Sequence, residues 1–277
     1  SFRNLLLIIV FVAGFSCMPE KEIPKIPLAD FFRNPEKSNY TISPSGKYLA
    51  YLKPVNGRIN IAIKEIGINK EKLVTNSDDF DIKNYFWIDD DFLVYLRDNK
   101  GDEIFRLYSV NISTGTSRLL TPYENTTVNI IHLNEKNRKE LLIEMNNRDA
   151  RQFDVYRLNA ETGKLDLAAE NPGKIVRWIA DNNGRVRIAV RKDIINDVIM
   201  YRSDEDEPFR ELFRVSFPDS FQPVFFSDSN ETFYALSNIN RNFVAVIEYD
   251  PDKNKELNIL YENPEVDADF LIHGGKG

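Results

Sequence analysis

The stretch Ile42-Ser43-Pro44-Ser45-Gly46-Lys47-Tyr48-Leu49-Ala50-Tyr51 carries the pattern that decides the fold. A short apolar run leads into Ser43, a small polar residue that anchors the chain before a turn. Gly46 gives the turn a residue that tolerates a positive φ angle. An alternating strand follows, so the stretch predicts two β-strands joined by a tight turn.

The same order of apolar run, small or polar anchor and turn occurs five times along the chain. The anchors are Ser43, Asp89, Asn134, Asp181 and Ser227, at spacings of 46, 45, 47 and 46 residues. The third predicted strand of each unit recurs at nearly the same interval, in residues 61–63, 105–108, 153–156, 198–201 and 244–247. This period matches the length of a four-stranded propeller blade.

The repeat predicts an all-β fold, a β-propeller of four-stranded antiparallel blades in residues 38–277. Five blades are expected in full, and the next anchor falls on His273, where a sixth blade would begin. A β-sandwich also has short alternating strands, but it does not predict a constant spacing. Whether the blades close into a ring or form an open arc is left open, and an arc is expected to be poorly soluble because it exposes sheet edges.

Composition excludes several classes of function. The chain has 277 residues, of which 42% are hydrophobic and 12% aromatic, so it is globular. Its net charge of -7 comes from interspersed acidic and basic residues. No single-sign surface is therefore expected, and nucleic acid is not a predicted partner. No cofactor is predicted either.

The first 17 residues have the layout of a signal peptide. Arg3 precedes an apolar run in residues 5–12 that is too short to span a bilayer, and small residues lead to Cys17. Residues 14–17 resemble a loose bacterial lipobox, which implies a lipidated Cys17, a membrane anchor and an exported, cell-envelope protein. An ordinary signal peptide with an incidental cysteine is the alternative. Residues 18–37 are predicted to be a linker, with a helix most plausible at residues 28–32, and a chain that begins with Ser1 is expected to be a fragment.

The blade opening at residues 42–51 resembles the one shared by TolB-type propellers and the propeller of the prolyl oligopeptidase family. The layout of the whole chain is similar to the N-terminal part of bacterial dipeptidyl-aminopeptidase-like members of that family. It consists of a signal peptide, residues 26–32, and blades that contain Asp154-Val155-Tyr156-Arg157-Leu158 and Thr162-Gly163. This resemblance implies a propeller that covers the active site of a following α/β-hydrolase domain and filters peptides by size. It extends to no catalytic residue.

The sequence contains no Gly-x-Ser-x-Gly nucleophile motif, so no catalytic residue is predicted. The segment most similar to this motif, residues 115–119, lacks the second glycine, so its Ser117 is interpreted as structural. His132 is expected on a first strand of a blade. His273 begins a His-Gly-Gly run that would suit an oxyanion loop, although the repeat favours a blade anchor. The chain alone is therefore expected to be inactive.

Charged residues give no firm binding site. Acidic groups at residues 78–81, 89–91 and 204–207 lack the ligand spacing of a calcium loop, so no metal site is predicted. The chain has no Glu-Glu pair, the device with which dipeptidyl peptidases of the resembled family hold a free amine. Five arginines that are expected to be exposed could line a channel and meet peptide carboxylates, with ordinary surface charge as the alternative: Arg148, Arg151, Arg185, Arg187 and Arg191.

Two functional hypotheses follow. In the first, the chain is the substrate-gating propeller of an exported serine peptidase whose hydrolase domain lies beyond Gly277. In the second, it is a non-catalytic, TolB-like envelope propeller that binds a protein partner. A sugar-acting or lyase propeller is a weaker third hypothesis because histidines and carboxylates do not cluster.

Overall fold

The computed structural model describes residues 25–33, 35–98, 102, 104–134 and 137–272. They belong to two units, residues 1–35 and 36–277. In the first unit, residues 25–33 include helix α1 (Leu28–Phe32), at the position that the sequence predicted. No helix of the described residues is long and apolar enough to cross a membrane. The predicted lipidation site Cys17 and the predicted blade anchor His273 both lie outside the described residues.

The second unit contains five four-stranded antiparallel sheets, here called blades one to five. Their strands are β1 (Ser38–Ile42), β2 (Tyr48–Val55), β3 (Arg58–Glu65) and β4 (Glu71–Leu73); β5 (Ile82–Trp87), β6 (Phe92–Arg97), β7 (Arg106–Asn111) and β8 (Ser117–Leu119); β9 (Val128–Leu133), β10 (Glu140–Asp149), β11 (Gln152–Asn159) and β12 (Leu165–Ala169); β13 (Ile175–Ala180), β14 (Val186–Asp193), β15 (Asn196–Tyr201) and β16 (Arg210–Val215); and β17 (Phe221–Phe226), β18 (Phe233–Ser237), β19 (Ala245–Asp250) and β20 (Lys255–Tyr261). Strands that follow each other in a blade are neighbours in its sheet. The predicted propeller of four-stranded blades is thus confirmed.

The predicted anchors lie one or two residues after the first strand of each blade, where their side chains close the turn. Ser43 is buried, and its Oγ accepts a hydrogen bond of 3.1 Å from the backbone N–H of Tyr48. Asp181 is also buried, and its Oδ1 accepts from the N–H groups of Asn183 and Arg185 at 2.9 and 3.0 Å. A buried turn needs such acceptors because its N–H groups have no strand partner.

Four hydrophobic clusters hold neighbouring blades together, one at each successive interface. Between blades one and two, for example, Leu52 and Ile61 pack with Tyr85 and Leu93. The other three clusters join blades two and three, three and four, and four and five. Among the described residues no such cluster joins blade five to blade one, so the sheets are not closed into a ring.

The exposed strand β20 agrees with an open arc. Its side chains Ile259, Leu260 and Tyr261 are about half exposed, at 49%, 53% and 53%. Central strands bury apolar residues on both faces instead, as Ile188 and Ala189 of β14 do, at 0% and 1% exposure. The last strand of blade five therefore presents apolar surface to solvent.

Candidate functional site

Antiparallel connectivity gives the blades two different ends. The turns after the first and third strands lie at one end. The hairpins between second and third strands lie at the other, together with the connections between blades; we call this the hairpin end. The first strands β9, β13 and β17 of successive blades contact one another. First strands are therefore innermost, as in propellers generally.

Three cavities open at the hairpin end, and the first lies between the connection from blade one to blade two and the β6–β7 hairpin. We call it the aromatic cavity; it has a volume of about 380 Å³ and is lined by Arg58, Asp79, Phe80, Asp81, Lys83, Asp98 and Phe105. Lys83 Nζ lies 4.6 Å from the centre of the Phe105 ring, a cation–π contact. Asp81 Oδ1 accepts a hydrogen bond of 2.7 Å from the N–H of Ile59, which fixes this carboxylate. The cavity thus combines three carboxylates and two cations with aromatic walls.

A second cavity lies between blades four and five, at the start of their first strands. We call it the inner cavity; it has a volume of about 320 Å³ and is lined by Val176, Arg177, Val190, Lys192, Asp197, Ser220, Phe221, Gln222 and Pro223. Lys192 Nζ pairs with Asp197 Oδ1 at 2.6 Å. Arg177 and Gln222 are exposed and lie on the innermost strands. Their polar groups can therefore meet a ligand at the centre of the blades.

The third cavity, about 170 Å³, lies between blades one and two and is called the Arg97 cavity. It is lined by Thr75, Asn76, Ser77, Ile82, Tyr95, Arg97, Tyr108, Ser117 and Leu119. Ser117 and Asn76 are exposed, whereas Thr75 and Tyr95 are buried. The cavity therefore opens toward the outer strands and ends against the buried inner part of the blade.

A desolvated carboxylate also lies near the innermost strands. Glu144 of β10 pairs in register with Asn129 of β9, and Asn129 Nδ2 donates to Glu144 Oε1 at 3.0 Å. Burial raises the pKa of the Glu144 carboxyl because the charged form loses hydration. The hydrogen bond from Asn129 opposes this effect.

Two of the five arginines selected from the sequence have structural roles. Arg148 binds Asp154 through two hydrogen bonds, Nε to Oδ2 at 2.7 Å and Nη2 to Oδ1 at 2.8 Å, and Asp154 is fully buried. Arg187, selected as an exposed residue, is 8% exposed, so that expectation was wrong. It donates to the backbone oxygen of Asn230 at 2.6 Å and to the hydroxyl of Tyr201 at 2.5 Å. The reason is that its strand is covered by the neighbouring blade.

The other three arginines are paired with carboxylates: Arg151 with Asp149 at 3.3 Å, Arg185 with Asp204 at 2.5 Å, and Arg191 with Glu211 at 3.7 Å. The arginines that line the three cavities are Arg58, Arg97 and Arg177 instead. Arg58 begins β3, Arg97 ends β6 and Arg177 is the third residue of β13. The sequence signal that could have found them is their place beside the predicted hairpins and blade connections.

The residues tested for catalysis are not brought together. Ser117 begins β8, the outermost strand of blade two, and His132 lies in β9, the innermost strand of blade three, as predicted for this histidine. Among the described residues, no group of three or more His, Cys, Asp or Glu side chains is arranged to hold a metal ion. The described geometry therefore offers cavities for binding rather than a catalytic constellation.

No family model matches the chain. The chain is 32% identical over 239 residues to dipeptidyl aminopeptidase BIII of Pseudoxanthomonas mexicana, an alignment that covers 83% of this chain and 34% of that protein. It is 26% identical over 268 residues to dipeptidyl peptidase family member 6 of Caenorhabditis elegans, covering 90% of this chain and 36% of the relative. The chain thus spans about a third of the length of these curated relatives.

The fold is similar to that of the solved dipeptidyl peptidase 4 of Porphyromonas gingivalis. The match has a TM-score of 0.58 at 17% sequence identity and covers 84% of this chain and 40% of that structure. At this identity the similarity shows the fold. In sequence the chain is therefore related to part of a dipeptidyl aminopeptidase and of a dipeptidyl peptidase, and it has the fold found in part of a solved dipeptidyl peptidase.

Proposed function

We propose that this chain is the substrate-gating propeller of an exported serine peptidase of the prolyl oligopeptidase family. Its homology to dipeptidyl aminopeptidase BIII is the observation that carries the proposal. The nucleophile and its base belong to a hydrolase domain of the longer protein, and the propeller selects the peptides that reach them. The chain alone binds peptides weakly and does not cleave them.

The hairpin end supports this assignment because the aromatic cavity and the inner cavity carry both signs of charge beside the innermost strands. A peptide brings a positive amine and a negative carboxylate. The aromatic cavity supplies carboxylates and aromatic faces for a cation, and Arg177 in the inner cavity supplies a donor for a carboxylate or a peptide carbonyl. Such paired sites suit short peptides, whose two ends are close together.

Steady-state kinetics of the full-length protein test the gating role. Arg177→Gln is expected to raise KM for a short peptide several-fold and to leave kcat unchanged, because it removes binding at a distance from the reacting bond. Arg185→Gln removes the same charge at the opposite end of the blade and serves as the control. Equal kinetics for wild type and Arg177→Gln, at every peptide length, would contradict a role of the inner cavity in peptide entry.

We further propose that the mature protein is anchored in the cell envelope through a diacylglycerol on Cys17. The lipobox-like residues 14–17 support this. Metabolic labelling with a fatty-acid analogue should mark the wild type and leave Cys17→Ser unmarked. Label on the serine variant, or a wild type without label, would refute the anchor.

The alternative function, a non-catalytic TolB-like scaffold, rests on the blade-opening motif at residues 42–51. It is the weaker proposal because the curated relatives are peptidases. A pull-down from envelope extract that recovers a stoichiometric protein partner, together with a full-length protein that lacks peptidase activity, would favour it.

A further inference from the structure

The Arg97 cavity differs from the other two cavities in its charge. Its nine lining residues include one cation, Arg97, and no carboxylate. The remaining polar lining consists of the hydroxyl groups of Thr75, Ser77, Tyr95, Tyr108 and Ser117 and the amide of Asn76. The hydroxyls of Thr75 and Ser77 donate within the protein, to Asn60 Oδ1 and to the carbonyl oxygen of Phe80. The cavity is therefore polar and positively charged, in a chain whose net charge is -7.

The guanidinium of Arg97 has few of the acceptors that it can use. Its Nη2 donates one hydrogen bond, a long one of 3.3 Å to the hydroxyl of Tyr108. Its Nε–H is buried and has no hydrogen-bond partner. An arginine offers five N–H donors, so among the described residues most of the donors of Arg97 have no hydrogen-bond acceptor.

Aromatic rings, not a carboxylate, hold the guanidinium in place. Its central carbon lies 4.7 Å from the centre of the Tyr108 ring and 5.8 Å from that of the Phe80 ring. Arg97 forms no ion pair with a described residue; the carboxylate that contributes to its electrostatic surroundings is that of Asp79. Asp79 is exposed and lines the neighbouring aromatic cavity. The guanidinium therefore remains charged in the cavity and can still pair with an anion that enters it.

We propose that the Arg97 cavity binds the carboxylate group of a small ligand. The planar fork of a guanidinium matches a carboxylate through two parallel hydrogen bonds. The hydroxyls of Tyr108 and Ser117 can donate to the same oxygens. One cation balances one negative charge, so a carboxylate fits better than a phosphate dianion, which would remain uncompensated beside Asp79.

The carboxylate has two sources, a peptide or a free organic acid. The exposed lining of the cavity is at Asn76 and at Ser117 of the outer strand β8. The cavity lies between blades one and two, so it is distinct from the inner cavity between blades four and five that is proposed for peptide entry. Its occupation would fasten blade one to blade two, because Thr75 and Ser77 come from the connection between them and Arg97 from blade two.

Nuclear magnetic resonance of the ¹⁵N-labelled chain tests the proposal through the Arg97 Nε–H signal, assigned by its loss in Arg97→Gln. The probes are N-acetylglycine, its amide N-acetylglycinamide, and acetate. N-acetylglycine should shift the signal saturably and the amide should not. Tighter binding of N-acetylglycine than of acetate identifies a peptide source, and equal binding a free acid; both results support a carboxylate site. No saturable shift with either acid, or an equal shift with the amide, would overturn it.

Variants separate this site from general electrostatic attraction. Affinity for N-acetylglycine, measured by the shifts of backbone signals around Ser117, should fall about tenfold or more in Arg97→Gln, the loss expected for a charged hydrogen bond. Tyr108→Phe keeps the ring under the guanidinium and should bind several-fold more weakly, which tests the site even if Arg97→Gln does not fold. Arg185→Gln, with the same loss of charge at the other end of the blades, should bind like the wild type. Unchanged affinity in Arg97→Gln and Tyr108→Phe would refute the proposal.

Discussion

Arg118 of blade two donates a hydrogen bond of 2.9 Å from its Nη2 to the backbone carbonyl oxygen of Thr162, in a turn of blade three. Its Nη1 donates to the neighbouring carbonyl of Glu161 at 3.1 Å. We call this contact, from a cationic side chain to a carbonyl oxygen in a turn of the next blade, the clamp. It recurs one repeat earlier, where Lys72 Nζ donates to the carbonyl of Ile112 at 2.6 Å. Two repeats later Arg210 Nη2 donates to that of Pro251 at 2.9 Å. The repeat therefore fastens blades to each other as well as building each blade.

Removal of the clamp should lower stability without changing the fold. Arg118→Gln is expected to reduce the free energy of unfolding by about 1–2 kcal/mol, the range for hydrogen bonds from a charged donor at a partly exposed site. Urea denaturation followed by tryptophan fluorescence measures it. Lys164 occupies the same repeat position in blade three but pairs within its own blade, with Asp166 at 2.8 Å. Lys164→Gln should therefore be nearly neutral, and equal losses in the two variants would contradict the clamp.

Gly163 leaves the space that the Arg118 guanidinium occupies in the clamp. It has a φ angle of +73°, and a Cβ atom at this position would lie 2.8 Å from Arg118 Nη2. Gly163→Ala should cost about 1–2 kcal/mol for the left-handed backbone and a further ~1 kcal/mol because the guanidinium must leave its acceptors. Gly46 has a similar φ angle of +78° and open space around it. Gly46→Ala should thus show the backbone cost alone, and a Gly163→Ala variant no less stable than Gly46→Ala would argue against the account.

The pair of Arg148 and Asp154 should respond asymmetrically to substitution. The side chain of Asp154 is 0% exposed, whereas that of Arg148 is 40% exposed. Arg148→Gln removes the cation that faces a buried carboxylate, to which the N–H of Asn171 still donates, and should lower the midpoint of thermal denaturation markedly. Asp154→Asn leaves a cation that can reach water and should cost less. Thermal denaturation of both variants measures the difference, and a larger loss in Asp154→Asn would contradict this explanation.

Acidification should weaken blade one through Glu71. Hydrogen bonds from Lys53, Tyr51 and Lys37 lower the pKa of the Glu71 carboxyl from 4.5 to about 2. A carboxyl whose pKa is lower in the folded state stabilises the fold above its unfolded pKa, and this stability is lost as the pH falls through the folded value. The stability difference between wild type and Glu71→Gln should be constant above about pH 5 and should shrink between pH 4.5 and 2. Partial exposure makes it modest, and a difference that grows on acidification would refute the assignment.

The blade repeat could be predicted from sequence because its signals are local. Ser43 and Asp181 are recognisable as anchors since the turn chemistry is contained within a few residues. Burial between blades is not local, which is why Arg187 was misplaced on the surface. Its strand carries charged and apolar residues in turn, and only the stacking of blade five on blade four shows that both faces are covered.

The cavities could not be predicted from the sequence because they too depend on how neighbouring blades pack. Arg97 lies in blade two and Thr75 in the connection that leads from blade one, and their approach depends on how the sheets stack. The period of 46 residues places Arg97 near a hairpin but does not show that its guanidinium lacks acceptors. The clamp of Arg118 had a usable signal, however, because cations recur at residues 72, 118, 164 and 210.

Peptidase activity of the longer protein tests the central claim most directly. The measurement is the hydrolysis rate of dipeptidyl p-nitroanilides by the full-length protein, by its variant with alanine in place of the Gly-x-Ser-x-Gly serine, and by the present chain. The account predicts turnover by the full-length protein and none by the alanine variant or the present chain. A full-length protein without a Gly-x-Ser-x-Gly motif or without turnover, or appreciable turnover by the present chain, would contradict it.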